Sequence, residues 1–238
     1  MSTINWRKTP MRTTHTLKLS LAFLTLGLLT ASLGNAQEQP SGPAWDGLVE
    51  VEGRGNTRVW VMPGVDMSTY TSIRLESAGM HFRPVKRQSR SARAGEFPIS
   101  DTNKKRLRAM AQEIFPEELA KTKRFEVVDT DGPDTMIVKG ALLDVISRVP
   151  PQQAGRSHTI VSVFGEATLV IEFIDSQSGA VIARAVERRA ARTPGGQMRD
   201  ANSVTAQAEA RRLMRSWATR LRVVLDEVDE VLDNLEPV

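Results

Sequence analysis

The chain is 238 residues long, with 32 Lys and Arg against 28 Asp and Glu, 40% hydrophobic residues and no cysteine. The missing cysteine excludes disulfides, thiol nucleophiles, cysteine-held metals and a lipid anchor on an N-terminal cysteine. A net charge of +4 would suit nucleic acid or anionic lipid, but four cations (Arg7, Lys8, Arg12 and Lys18) lie within residues 1–36, which hold no acid.

Residues 1–36 read as an export signal. Arg12 and Lys18 lead an apolar run over 19–30, and Gly34-Asn35-Ala36 supplies the small-x-small pattern of a signal-peptidase site. The run is too short to span a bilayer comfortably. Met11 offers a second start nearer to it. Cleavage after Ala36 leaves 28 cations against 28 acids. The case for nucleic-acid binding goes with the leader. The expected product is an exported, periplasmic protein of about 200 residues, enough for one domain without disulfides. Residues 37–47 are polar and Pro/Gly-rich and read as a flexible linker, so a single domain is expected over 48–238.

In chain order, 57–61 reads as a short strand stopped by Pro63-Gly64, and 71–76 alternates, with 80–83 continuing it or pairing beside it. The stretch 85–97 has no apolar periodicity and reads as an exposed basic loop. Residues 81–110 hold nine cations against Glu96 and Asp101, a distribution that suits peripheral contact with an anionic surface or a solvated face. Ser100 or Asp101 can cap a helix over 101–115 whose one face carries Leu107, Met110, Ala111 and Ile114. Pro116 is expected to kink or restart it, with 117–121 as a second short helix.

A strand at 125–128 and a turn at Asp131-Gly132-Pro133 precede three long strands over 135–149, 159–175 and 180–191. The Asp175-Ser176-Gln177-Ser178-Gly179 link predicts that the last two form an antiparallel hairpin. Gly140 and Gly165, inside long strands, are expected to mark bulges. From Ser203 to about Asn234 there is no Gly or Pro, and Trp217, Leu221, Val224, Val228, Val231 and Leu235 form one apolar seam. A helix of that length would be roughly 48 Å long at 1.5 Å per residue. Its acidic end either frays or overhangs to meet another chain.

Chemistry is sparse. Beyond the leader only His81 and His158 remain, neither with an acid at metal-ligand spacing such as H-E-x-x-H. There is no G-x-S-x-G elbow and no P-loop, and Gly53-Arg54-Gly55 lacks the rest of a dinucleotide fingerprint. No catalytic, cofactor-binding or metal residue is assigned, no cofactor is expected, and the balance leans away from an enzyme.

Several segments carry a resemblance. Val61-Met62-Pro63-Gly64-Val65-Asp66-Met67-Ser68-Thr69-Tyr70 is similar to the "pGvDlsrY" opening of a bacterial envelope family, domain of unknown function family 3313. Phe125-Glu126-Val127-Val128-Asp129, Gly140-Ala141-Leu142-Leu143-Asp144-Val145, Gly165-Glu166-Ala167, Asp175 to Gly179 and Trp217-Ala218 follow in the same order. The resemblance covers nearly all of 48–225 and implies an envelope protein without an established activity. Family members are mostly lipoproteins, and this chain lacks their lipid-bearing cysteine. Locally the motifs read as punctuation: a Gly64 turn, an Asp66 or Ser68 cap and a hairpin closed by a left-handed Gly179.

The architecture expected is α+β, a mainly antiparallel twisted sheet with two helices on one face, one of them the long C-terminal helix. The function expected is a non-enzymatic envelope accessory that binds a protein partner or self-associates through that helix. The alternative is small-molecule binding or hydrolysis near the 150–158 loop. If the helix seats its middle on the sheet, Trp217→Ala should remove about 3–5 kcal/mol of stability. Val231→Ala, near the acidic end, should change the monomer little. Equal, small shifts of melting temperature at both positions would overturn the anchored helix.

Overall fold

Alternating apolar residues over long runs make the sheet, and two amphipathic segments cover it. A computed structural model describes residues 47–53, 55–85, 95–150 and 159–229. The chain divides into two units, Met1–Pro43 and Ala44–Val238, and the described residues all belong to the second. The strands are β1 (Val49–Val51), β2 (Thr57–Val61), β3 (Ser72–Phe82), β4 (Glu126–Val128), β5 (Thr135–Ser147), β6 (Ile160–Val161), β7 (Val163–Asp175), β8 (Val181–Arg192) and β9 (Arg199–Asp200). The helices are α1 (Asp101–Leu119) and α2 (Ser203–Asp226), and a short 3-10 helix spans Met67–Thr69.

Seven strands form one sheet in the order β1-β2-β8-β7-β5-β3-β4, and β6 pairs with β9 in a separate ribbon. The β7–β8 hairpin is antiparallel, as its turn predicts, and Gly179 closes it at φ +71°. The sheet is mostly antiparallel but mixed, because β3 runs parallel to both β5 and β4. Residues 72–82 form one continuous strand, and β1 adds a three-residue edge. Gly165 does follow a bulge, one extra residue at Phe164 in β7. The bulge expected at Gly140 lies instead across from it in β3, at Ala78, while Gly140 pairs regularly with Ile171.

Strand alternation gives the sheet two chemically different faces. On one, Ile73, Met136, Val138, Leu142, Leu169, Ile171 and Phe173 are buried in the main core under both helices. On the other, one row of register partners crosses six strands: Glu50, Trp60, Arg184, Glu172, Lys139 and Glu76. Charges alternate along it. Arg184 pairs with Glu172, Lys139 with Glu76 at 2.9 Å, and Arg58 grips Glu50 at 2.8 Å while its guanidinium lies 4.8 Å over the Trp60 ring. The Arg58–Glu50 and Lys139–Glu76 pairs are open to water and add little stability each, whereas Arg184 is buried.

Ser100 caps α1, its Oγ accepting from Asn103 N, and Asn202 caps α2 by accepting from Thr205 N at 2.9 Å. The helix does not restart at Pro116, as the sequence suggests; α1 runs through it to Leu119. An interior Pro costs about 3 kcal/mol. Burial of Ile114 and Leu119 and packing of Phe115 on either side offset that. The two helices run side by side in one direction, since Glu113 pairs with Arg211 (2.9 Å) and Glu118 with Arg222 (3.1 Å).

Trp217 is 2% exposed, and Met214, Ala218, Leu221, Leu225 and Val228 are buried with it, while Leu213 packs against the same core. The indole Nε1–H donates to Glu187 Oε2 on β8 at 2.8 Å. The unbroken run of α2 ends at Asp226, whose Oδ1 accepts from Thr122 Oγ1 (2.6 Å) and Lys123 N (2.7 Å); Glu227 leaves helical geometry and Val228 and Asp229 resume it. Of the expected seam, Trp217, Leu221 and Val228 are buried in the chain's own core, Leu225 rather than Val224 joins them there, and Val231 and Leu235 lie outside the described residues.

Two glycine substitutions test the sheet geometry. A Cβ at Gly165 would lie 2.5 Å from the Ile146 carbonyl oxygen, whereas one at Gly140 would meet only the flexible Ile171 Cδ1 at 3.3 Å. Gly165→Ala should destabilise by about 1–3 kcal/mol in chemical denaturation. Gly140→Ala should be near neutral, since the entropic gain of about 0.4–1 kcal/mol offsets a small displacement. Similar losses at both sites would contradict the close approach of β5 and β7 at Gly165.

Candidate functional site: an apolar cavity beneath the helices

Three of the segments that carry the family resemblance, 61–70, 125–129 and 175–179, meet at one pole of the domain. Gly64 turns at φ +75°, and Asp66 caps the 3-10 helix by accepting from Ser68 N at 2.9 Å. Tyr70 Oη donates to Asp175 Oδ2 at 3.0 Å, and Asp175 Oδ1 accepts from Ser178 N (2.7 Å) and Ser178 Oγ (2.6 Å). The Arg124 guanidinium, just before the 125–129 motif, donates to the carbonyls of Tyr70 (3.1 Å) and Met67 (3.4 Å). Ser176 Oγ donates to the Gly132 carbonyl at 2.7 Å. Burial first, then the Asp175 carboxylate, pushes the Tyr70 phenol up to about 12. It stays protonated as a donor and is no nucleophile at neutral pH. This pole is a clamp.

The opposite pole carries a charge cluster. Asp144 sits at a β5 bulge with φ 56°, a left-handed conformation that Asp tolerates better than most side chains. Arg83 and Arg188 both pair with it, Arg83 also with Glu96 (2.9 Å), and Glu166 accepts from Arg188 (2.8 Å) and Arg148 (2.5 Å). The hydrogen bond from Arg83 holds the Asp144 carboxyl below its ordinary range. Three arginines against three carboxylates leave no net charge for a ligand. Among the described residues no group of three or more His, Asp or Glu could hold a metal. His81 is exposed on β3, and His158 with residues 151–157 lies outside the described residues.

Beside that cluster lies a cavity of about 390 Å³. Protein interiors hold few voids larger than a water molecule, so its origin needs a cause. The cause is small residues facing each other: Ala206 and Ala210, one turn apart on α2, look across at Gly165, Ala167 and Ala191 of the sheet. Met80, Leu107, Leu142, Phe164, Leu213 and Trp217 supply apolar walls, while Ser100, Asn103, Ser203 and Gln207 mark the end where both helices begin. A second cavity of about 230 Å³ lies farther along α1, lined by Ala111 on the helix and by Gly79, Gly140 and Ala141 on the sheet. Volumes of a few hundred Å³, apolar walls and a few polar groups at one end are the features of small-molecule sites.

Sequence reading singled out Trp217 as a core anchor and the neighbourhood of 150 as a candidate tip. Pro150 does line the larger cavity. It missed Met80 and the Ala206/Ala210 pair. The only signals were the helical spacing of the two alanines and the β3 alternation that puts Met80 and Phe82 on one face.

The chain belongs to the family described as protein of unknown function (DUF3313), whose model matches residues 39–221. No curated protein matches it. Among solved structures it is similar to a PelC dodecamer from Paraburkholderia phytofirmans, at 13% identity and TM-score 0.34, over 70% of this chain and 96% of that one. It is also similar to protein XCC0632 from Xanthomonas campestris, of the DUF330 family, at 11% identity and TM-score 0.41, over 71% and 91% of the two chains. With TM-scores this low, the likenesses assign no function. Among the described residues no helix is long and apolar enough to cross a membrane.

The clamp should be visible in acid. Hydrogen bonds from Ser178 Oγ–H and N–H, with Tyr70 adding to them against a smaller opposing effect of burial, hold the Asp175 carboxyl below its ordinary value. A lowered folded-state pKa contributes stability above the unfolded value of about 3.9, and that contribution disappears as pH falls through the folded value. Asp175→Asn should therefore flatten the loss of stability between about pH 5 and pH 2. Tyr70→Phe should cost about 1–2 kcal/mol at neutral pH. An unchanged acid limb in Asp175→Asn, measured by thermal melts across pH, would contradict the assignment.

Proposed function

We propose that this chain is an exported, non-enzymatic binding protein of the cell envelope that takes an apolar small molecule into the 390 Å³ cavity between α1, α2 and the sheet. The cavity is the observation that carries this reading. Its walls offer dispersion contacts and its polar end offers hydrogen bonds, whereas no described cluster offers a nucleophile with a base beside it. Export is supported by the leader over residues 1–36, and the periplasm is the compartment that such a leader specifies. A protein partner, or a second copy docking along the end of α2, is the second reading. Its support is the seam that the sequence continues through Val231 and Leu235.

A cavity-filling variant tests the first reading. Ala210 lies in the wall of the larger cavity and is partly buried. The native protein should enhance the fluorescence of the neutral dye N-phenylnaphthylamine. Ala210→Phe, with circular dichroism unchanged, should weaken that binding at least about tenfold, equivalent to 1.4 kcal/mol. Dye binding that survives the substitution, or never occurs, would overturn the cavity as the functional element.

A further inference from the structure

The larger cavity has almost no charge in its wall. Among the described residues Glu166 is the one ionisable group that lines it, and no lysine or arginine does. Both Glu166 oxygens are taken: Oε1 accepts from Arg148 Nε at 2.9 Å and Oε2 from Arg188 Nη2 at 2.8 Å. Arg188 also meets Asp144, so the cluster behind that wall is closed on itself.

The remaining polar groups of the wall gather where the two helices begin. Ser100 Oγ is spent on the Asn103 N–H, and Asn202 caps α2 through the Thr205 N–H, so each helix start already has its acceptor. The side chains of Asn103, Ser203 and Gln207 differ: they are half-buried and have no hydrogen-bond partner among the described residues. Two carboxamides and a hydroxyl, each able both to donate and to accept, thus stand at one end of an otherwise apolar space.

Charge decides what such a space receives. Taking an ion out of water costs far more than taking out a neutral group, unless a counter-ion meets it. An anion entering here meets no cation in the wall. A cation meets only a carboxylate that would have to release Arg148 and Arg188. A neutral head, by contrast, finds three groups with hydrogen bonds still to make.

We infer that the ligand of the larger cavity is an uncharged amphipath, an apolar body with a hydroxyl- or amide-bearing head received by Asn103, Ser203 and Gln207. This inference rests on the proposed function above and adds the ligand's charge and the side chains that read its head. The smaller cavity has a different wall, with Glu76 and Arg108 of opposite sign, and is not the site of the head.

Three amphipaths with the same length of chain separate the possibilities: 1-monodecanoylglycerol, decanoate and decyltrimethylammonium. Each is titrated by calorimetry, below its micellar concentration, into the full chain lacking its leader, at about pH 8 where the acid is ionised. Monodecanoylglycerol should bind at least about tenfold tighter than either ion. The double variant Asn103→Ala/Gln207→Ala should keep its melting temperature, since neither side chain bonds to a described residue. It should weaken monodecanoylglycerol at least about fivefold, the worth of two neutral hydrogen bonds, and leave N-phenylnaphthylamine within about twofold. Arg108→Ala, in the wall of the smaller cavity, should leave monodecanoylglycerol within about twofold of native. An ion that binds as tightly as the glyceride would overturn the uncharged class. Unchanged glyceride binding in the double variant, or equal loss of glyceride and dye, would overturn the reading of the head. Weaker binding in Arg108→Ala would overturn its placement. Dye binding without glyceride binding would overturn this inference and leave the apolar-site reading standing; binding of neither would overturn both.

Discussion

The seat of α2 on the sheet depends on one hydrogen bond in the core. Burying an indole is favourable only if its N–H finds an acceptor, and here the acceptor is a carboxylate, Glu187, in the middle of β8. A carboxylate on the inner face of a sheet would itself be costly to desolvate. Arg220, three residues past Trp217 on α2, answers it at 2.8 Å, and Arg189 approaches from β8 at 3.9 Å. Trp217, Glu187 and Arg220 therefore fix both the depth and the rotation of α2. The same indole is a wall of the larger cavity, so the group that fixes the helix also fixes the shape of the site.

Once α2 is placed, α1 follows it more than it follows the sheet. The paired ions Glu113–Arg211 and Glu118–Arg222, with Thr219 donating to Glu118, lock the helices in parallel register. Under α1, however, the inner face of the sheet carries Gly140 between Val138 and Leu142, and Gly140 with Ala111 does not fill the space between helix and sheet. Cavities along α1 are thus a consequence of residue size at a few positions, held open because α1 is supported from its side by α2. Packing density, which normally forbids such spaces, is met elsewhere by Ile73, Ile114, Met136 and Leu225, all nearly or fully inaccessible.

Much of the frame is legible in the sequence because it is local. The alternation of 163–175, the Asp175 to Gly179 turn and the Gly-free run from Ser203 are each short-range signals, and each makes the element it predicts. Pairing partners are not local. Nothing in 72–82 says that it lies parallel between β5 and β4, since alternation encodes a face and not a neighbour. The break in the C-terminal helix at Glu227 is not local either: Asp226 is captured by Thr122 and the Lys123 N–H, about a hundred positions away. Glu187 reads as an ordinary charged strand residue until Trp217 is set opposite it. The cavity left no binding motif: its wall includes Gly165, Ala167 and Trp217 from resembling segments, but its space is made by what the alanines and glycines do not fill.

The two poles of the domain divide these roles. Three of the segments by which the chain is recognised as a family member (Gly64 to Tyr70, Phe125 to Asp129, Asp175 to Gly179) gather where strand ends are pinned by hydrogen bonds from Tyr70, Arg124 and Ser178. The larger cavity lies at the other pole, where the helices begin and β5 and β7 are bulged. That pole is held as well, by the ion pairs of Arg83, Arg148 and Arg188 with Asp144, Glu96 and Glu166, so the cavity sits in a frame fixed at both ends. Motif recognition therefore reaches both poles, since Leu142, Val145, Gly165, Ala167 and Trp217 belong to resembling segments and also line the larger cavity. Side chains this small or apolar carry no chemical signature of their own, so a sequence can declare its family clearly and still be silent on its ligand.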